Sequence, residues 1–112
     1  MTDCLFCKMV SGEIKPDVVF EDDKVLAFKD INPQAPMHVL IVPKLHIASL
    51  NDLQDAALGG HMLKIAACIA QDNGYAESGY RCVFNTNDDG GQTVHHLHLH
   101  VIGGRRMTWP PG

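Results

Sequence analysis

Residues 96–102 read His-Leu-His-Leu-His-Val-Ile. This strict alternation of polar and apolar side chains predicts a half-buried strand. Successive side chains on a strand point to opposite faces. His96, His98 and His100 therefore share one face, about 6.5–7 Å apart along the strand, while Leu97, Leu99 and Val101 enter a core. His95 has the opposite parity and receives no role. Four of the seven histidines fall within six positions, a concentration that packing does not call for. Two chemistries use such a face. His-x-His on a strand is a zinc-ligand spacing, and imidazole is both nucleophile and proton carrier near neutral pH.

The preceding chain supplies the rest of a small sheet. The stretch from Leu5 predicts a short helix ended by Gly12. Strands near Val18 and Lys24 flank a Glu21-Asp22-Asp23 turn, as in a hairpin. A strongly apolar strand runs from Met37 to Pro43. Asn51 or Asp52 is the expected cap of a long helix, in which Leu58, Met62, Ile65 and Ile69 repeat at helical spacing and which Gly74 closes. Gly59 and Gly60 weaken that helix and imply close packing against another element. A strand from Gly79 precedes the histidines. The order predicts an α+β fold: a mainly antiparallel sheet of about five strands, with the long helix on one face.

With 112 residues and 46% hydrophobic composition, residues 1–112 are expected to form one domain. Nine basic against thirteen acidic residues leave a formal charge of 9 − 13 = −4, which argues against a nucleic-acid partner. No apolar run is long enough to span a membrane, and the N-terminus lacks the pattern of a signal peptide. The expected location is the cytoplasm, where Cys4, Cys7, Cys68 and Cys82 would stay unpaired.

The segment Asn85-Thr-Asn-Asp-Asp-Gly-Gly-Gln-Thr-Val94 leads into the histidines. Gly90 and Gly91 let backbone N–H groups approach an anion, and Gln92 and Thr93 add side-chain donors. Such a loop beside an imidazole suits a phosphate.

The Gly-Gly-Gln-Thr run and the His-x-His-x-His motif together resemble the histidine triad superfamily. FEDDKVLAFKDINPQAP from Phe20, VPKLH from Val42 and GGRRMTWPPG from Gly103 resemble its Hint branch, the nucleotide-binding proteins, over nearly the whole chain. The resemblance implies hydrolysis of the P–N bond of adenosine 5′-phosphoramidates, or of related acyl- and aminoacyl-adenylates, to AMP. It implies a homodimer and no cofactor required for catalysis. His98 is the implied nucleophile, with His96, His100 and the loop donors Gly91, Gln92 and Thr93 offsetting phosphoryl charge. His46 is implied to complete a four-histidine set. Asp30 resembles the acceptor of the ribose hydroxyls and Asn85 a residue facing the leaving group. Leu5, Phe6, Met9, Ile14, Phe28 and Ile31 resemble the purine pocket, although these positions would equally serve a core. Trp109 lies in a tail that in this branch reaches the partner subunit's site. Two departures stand out: His95 replaces a common aromatic, and Thr93 a common Ser.

Some relatives pair a C-x-x-C motif with two histidines around zinc. The matching positions are Cys4, Cys7, His46 and His96, a Cys2His2 set; free thiols are the competing reading. Two other functions fit the same residues. One is a zinc-stabilised nucleotide-binding regulator with little turnover. The other is a dinucleoside-polyphosphate hydrolase, disfavoured by the WPPG ending. A cupin-like metal site lacks its following Glu.

Overall fold

The computed structural model describes residues 3–112. Helix α1 spans Leu5–Ser11, strands β1, β2 and β3 span Val18–Glu21, Val25–Lys29 and Met37–Pro43, and α2 spans Ala56–Asp72. Strand β4 (Tyr80–Phe84), the single turn α3 (Asn87–Gly90) and β5 (Leu99–Gly103) complete the order. The five strands form one sheet in the order β1-β2-β3-β5-β4, and every neighbouring pair is antiparallel.

Strand β3 is buried along its whole length because both of its faces are covered. Met37, Val39 and Ile41 pack with Leu97, Leu99 and Val101 against Met62, Ala66, Ile69 and Ala70 of α2. On the other face Leu26, Phe28, Leu40 and Val42 surround Phe6 of α1. The expected α+β architecture is thus observed, with two apolar layers on a central sheet.

Local chemistry sets the helix ends. Cys4 caps α1 through its sulfur, and Gly12 ends the helix at φ +85°, a backbone region that glycine enters without steric cost. The cap of α2 differs from expectation. Asp55 accepts the Ala57 N–H at 3.0 Å, whereas Asn51 and Asp52 lie in a separate 3-10 turn, Leu50–Asp52, capped by Ser49. Helix α2 ends at Asp72, with Asn73 as cap and Gly74 just beyond at φ +84°. Close packing explains Gly59 but not Gly60. A Cβ on Gly59 would meet Leu53 at 3.1 Å, while one on Gly60 would meet nothing within 4 Å.

The histidine segment keeps its predicted parity but not its predicted length. Strand β5 begins at Leu99, where pairing with Ile41 and Phe84 begins. Upstream, Leu97 N–H instead donates to Ile47 O. His96 and His98 therefore precede the ladder, yet Leu97, Leu99 and Val101 still enter the α2 core.

Candidate active site

The sheet face opposite α2 carries the histidines. Between α1, β2 and the histidine segment lies a cavity of about 390 Å³. Leu5, Phe6, Met9, Ile14, Phe28 and Ile31 all line it, together with the apolar side chains of Pro16, Leu40 and Val94. Asp30, Thr93, His98 and His100 supply polar groups to the same cavity. Ile31 is 98% exposed and so borders the mouth of the cavity. Phe6 stands edge-on to His98, with centroids 5.1 Å apart, and packs on Phe28 at 5.5 Å.

The protein fixes the tautomer of each imidazole in this cluster. His98 Nδ1 lies 2.8 Å from the backbone oxygen of His96. A carbonyl only accepts, so Nδ1 carries the proton and Nε2 keeps a free lone pair. His96 Nε2 likewise donates to Pro43 O at 2.8 Å, which leaves its Nδ1 bare. His38 Nδ1 accepts the Gln34 N–H at 3.0 Å, so its proton sits on Nε2. That nitrogen lies 2.9 Å from His100 Nδ1 and 3.4 Å from an Asp30 carboxylate oxygen. His100 therefore accepts at Nδ1 and carries its proton on Nε2.

His38 has no sequence mark beyond being polar in an apolar run. Its role follows from the register: Leu40 pairs with His100, so His38, two residues along β3 on the same face, is a diagonal neighbour of His100. His46, expected to complete a four-histidine set, meets only His96 of the triad, with ring centroids 4.9 Å apart.

Burial lowers His38 and His98 below the usual imidazole range, against an opposing pull from the Asp30 charge. Burial, reinforced by His98 and His38, takes His100 down to about 4. Neutral rings at pH 7 agree with the tautomers above. A consequence for stability follows from His38 and His100. Between about pH 6.5 and pH 4 the unfolded chain binds protons that the folded chain refuses. Stability is therefore complete above about pH 6.5 and falls as pH drops through that window. Calorimetric Tm values at pH 8, 6, 5 and 4 should fall steadily, with a shallower slope in His100→Asn. A flat Tm across this range would contradict neutral buried imidazoles.

The triad's remaining nitrogen faces away from the cavity. His96 Nδ1 lies 3.3 Å from Cys4 Sγ and 3.5 Å from Cys7 Sγ, and His46 Nδ1 lies 3.2 Å from Cys7 Sγ. The four donor atoms all lie within 4.8 Å of one another. Tetrahedral Zn–S and Zn–N bonds of about 2.3 and 2.0–2.1 Å put S and N about 3.5 Å apart, close to these separations. His96 is also oriented for such a role, because its outer N–H is held by Pro43 O. Burial, with the Cys4 sulfur beside it, pushes the Cys7 thiol up.

The glycine loop differs from an open anion nest. Gly91 ends α3 at φ +79°, and the N–H groups of Gly91 and Gln92 donate back to Asp88 O and Asn87 O, each at 3.0 Å. The Gln92 side chain is buried and internally bonded: it accepts from Asn87 N–H and donates to Ala48 O and Val94 O. These groups brace the loop, and only Thr93 and Val94 of it border the cavity. Asn85, Gly91, Gln92, His46, His96 and Trp109 are not among the residues lining it. Trp109 is 82% exposed, in a tail tied to β4 by Arg81 Nη2 donating to Thr108 O at 2.9 Å. His95 is exposed and lines a second cavity with Cys4 and His46.

The chain is similar to several known proteins over most of its length. It is 48% identical over 106 residues to the purine nucleoside phosphoramidase of Escherichia coli, covering 92% of this chain and 88% of that one. It is 50% identical to an uncharacterized HIT-like protein of Synechococcus elongatus, covering 98% and 97%. The crystal structure of a HIT family hydrolase from Legionella pneumophila superposes with a TM-score of 0.95 at 57% identity, covering 98% of this chain and all of that one. With the HIT domain family model matching residues 11–107, and with the histidine cluster arranged as described, the chain belongs to the HIT domain family.

Proposed function

We propose that this protein is a purine nucleoside phosphoramidase that cleaves the P–N bond of adenosine 5′-phosphoramidates, with residues 1–112 acting as one domain. The observation that carries this reading is the free Nε2 lone pair of His98, facing the same cavity as the Asp30 carboxylate and an apolar wall. The E. coli relative, named purine nucleoside phosphoramidase, supports it. In this mechanism the base lies among Leu5, Phe6, Met9, Ile14, Phe28 and Ile31, and Asp30 accepts the ribose hydroxyls. His98 Nε2 bonds to phosphorus as the substrate P–N bond breaks; its electron pair leaves with the amine, which takes up a proton. His100 Nε2–H and the Thr93 hydroxyl donate to the phosphoryl oxygens. Water then displaces His98 and releases AMP. Asn85 and Trp109 act on the leaving-group side.

The test is AMP release from a fluorogenic adenosine phosphoramidate, with a mass spectrum of protein quenched during turnover of a slow substrate. An AMP adduct on His98 is expected; absence of both turnover and adduct would refute the reading. Loss of a hydrogen bond to a charged group costs about 1.5–3 kcal/mol. The 2′-deoxy substrate should therefore lose about 10- to 150-fold in kcat/KM, and Asp30→Ala should erase the difference. Equal efficiency on ribose and deoxyribose substrates in the wild type would remove Asp30 from the ribose site.

Zinc fits the second donor set. Cys4, Cys7, His46 and His96 would hold it, and its chemistry there is structural, joining α1 to the histidine segment. Cys4→Ser with Cys7→Ser should abolish bound zinc by elemental analysis. Stoichiometric zinc in that double variant would refute the ligand set.

The same reading includes a cytoplasmic homodimer. Strand β4 ends the sheet, Tyr80 and Cys82 on it are exposed, and the tethered tail presents Trp109 from the same strand. No helix among the described residues is long and apolar enough to cross a membrane.

A further inference from the structure

The hydrolysis proposed above uses neither thiol. Cys4 and Cys7 nonetheless bracket the first turn of α1, Cys4 as its N-cap and Cys7 three residues on. Their sulfurs are free and belong to the donor set within 4.8 Å. The Cys7 N–H already donates to Cys4 Sγ at 3.4 Å. Both cysteines are half-buried, and Cys4 lines a cavity of about 510 Å³ with His46, Ala48 and Thr93. Each sulfur faces an imidazole nitrogen.

The residues between the two cysteines connect them to the cavity wall. Leu5 and Phe6 fill that turn, and both line the nucleotide cavity. Phe6 is buried, edge-on to His98 at 5.1 Å and to His96 at 5.9 Å. The two sulfurs lie within 4.8 Å of each other, whereas a disulfide holds them at about 2.05 Å. Closing a Cys4–Cys7 bond therefore draws the cap residue and the first turn of α1 together, and Phe6 lies between the two.

We propose that Cys4 and Cys7 are a reversible oxidation site: a hydroperoxide converts the pair to a disulfide, which distorts the nucleotide cavity through Phe6. The proposal rests on the nucleotide reading of that cavity. The Cys4 sulfur attacks the peroxide O–O bond, giving a sulfenic acid and one water (or alcohol). The Cys7 sulfur then displaces the hydroxyl as a second water, and the S–S bond forms. Two electrons and both thiol hydrogens pass to the peroxide. A small-molecule thiol restores the pair by exchange. The disulfide and a metal on the same sulfurs exclude each other.

The experiment uses the metal-free full-length chain carrying Cys68→Ser and Cys82→Ser, treated with hydrogen peroxide. Intact mass should show loss of two hydrogens, reversed by dithiothreitol. AMP binding by calorimetry should weaken about tenfold on oxidation, since a shift of about 1 Å is costly at a shaped site, and recover on reduction. Adding Cys4→Ser should remove the effect. Ring resonances of Phe6 and His98, followed by NMR without nucleotide, should move with the same reversibility. A quantitative disulfide with unchanged ring resonances and AMP affinity would overturn the proposal, as would oxidation that never closes a disulfide. A reduced protein that fails to bind AMP would count against the nucleotide reading instead, and the ring resonances would still decide the coupling.

Discussion

His98→Ala should lower phosphoramidate turnover by at least about 10³-fold, the scale on which removing a covalent nucleophile acts. AMP affinity should change by less than about fivefold, roughly 1 kcal/mol. The separation follows from the geometry. His98 is held by one bond, Nδ1–H to His96 O, and its reactive Nε2 faces the cavity. Recognition of the nucleoside is assigned to other side chains, Asp30 and the apolar wall. Phe6 loses an edge contact in the variant, which accounts for the modest affinity change. Single-turnover kinetics and AMP calorimetry on the same preparation read both quantities. A variant within tenfold of wild-type turnover would rule out His98 as nucleophile, whatever its affinity.

Much of this arrangement was legible in local sequence, for a physical reason. The two-residue period sorts His96, His98 and His100 from Leu97, Leu99 and Val101 whether or not the backbone is in a ladder. That is why the parity holds although β5 starts only at Leu99. The Cys4, Cys7, His46 and His96 donor set came from the family resemblance, and the structure brings its atoms together. Choices among chemically equivalent neighbours were less legible. Ser49, Asn51, Asp52 and Asp55 are all capping types, and side-chain bonding decides between them: Ser49 Oγ donates to Asp52 at 3.0 Å, leaving Asp55 for α2. Gly91 and Gln92 read as open donors because their internal acceptors, Asp88 O, Ala48 O and Val94 O, depend on how the loop folds. His38 was not legible as a site residue at all. Its partners come from the strand order β2-β3-β5 and the Leu40–His100 register, which are long-range facts.

That hidden histidine has the second large expected effect. His38→Phe keeps a ring of similar size but removes the N–H that His100 Nδ1 accepts at 2.9 Å. His100 is then free to take the other tautomer, with a bare Nε2 facing the phosphoryl group in place of a donor. In serine proteases, losing the group that fixes the catalytic imidazole's tautomer costs about 10⁴-fold in kcat. Here His100 supports the reaction and does not attack, so kcat should fall by about 10²–10³-fold, within the range of a misplaced proton donor. AMP affinity should change by less than about threefold, well under 1 kcal/mol. His38→Gln is the informative companion. Its amide oxygen can accept the Gln34 N–H that His38 now accepts, and its NH2 can donate to His100 Nδ1. It should recover most of the lost kcat. A purely structural role for His38 predicts a different pattern, in which kcat tracks the loss of stability in both variants. Steady-state kinetics alongside urea melts distinguish the two. His38→Phe with kcat within threefold of wild type, or His38→Gln as impaired as His38→Phe at equal stability, would show that His38 does not set the His100 tautomer.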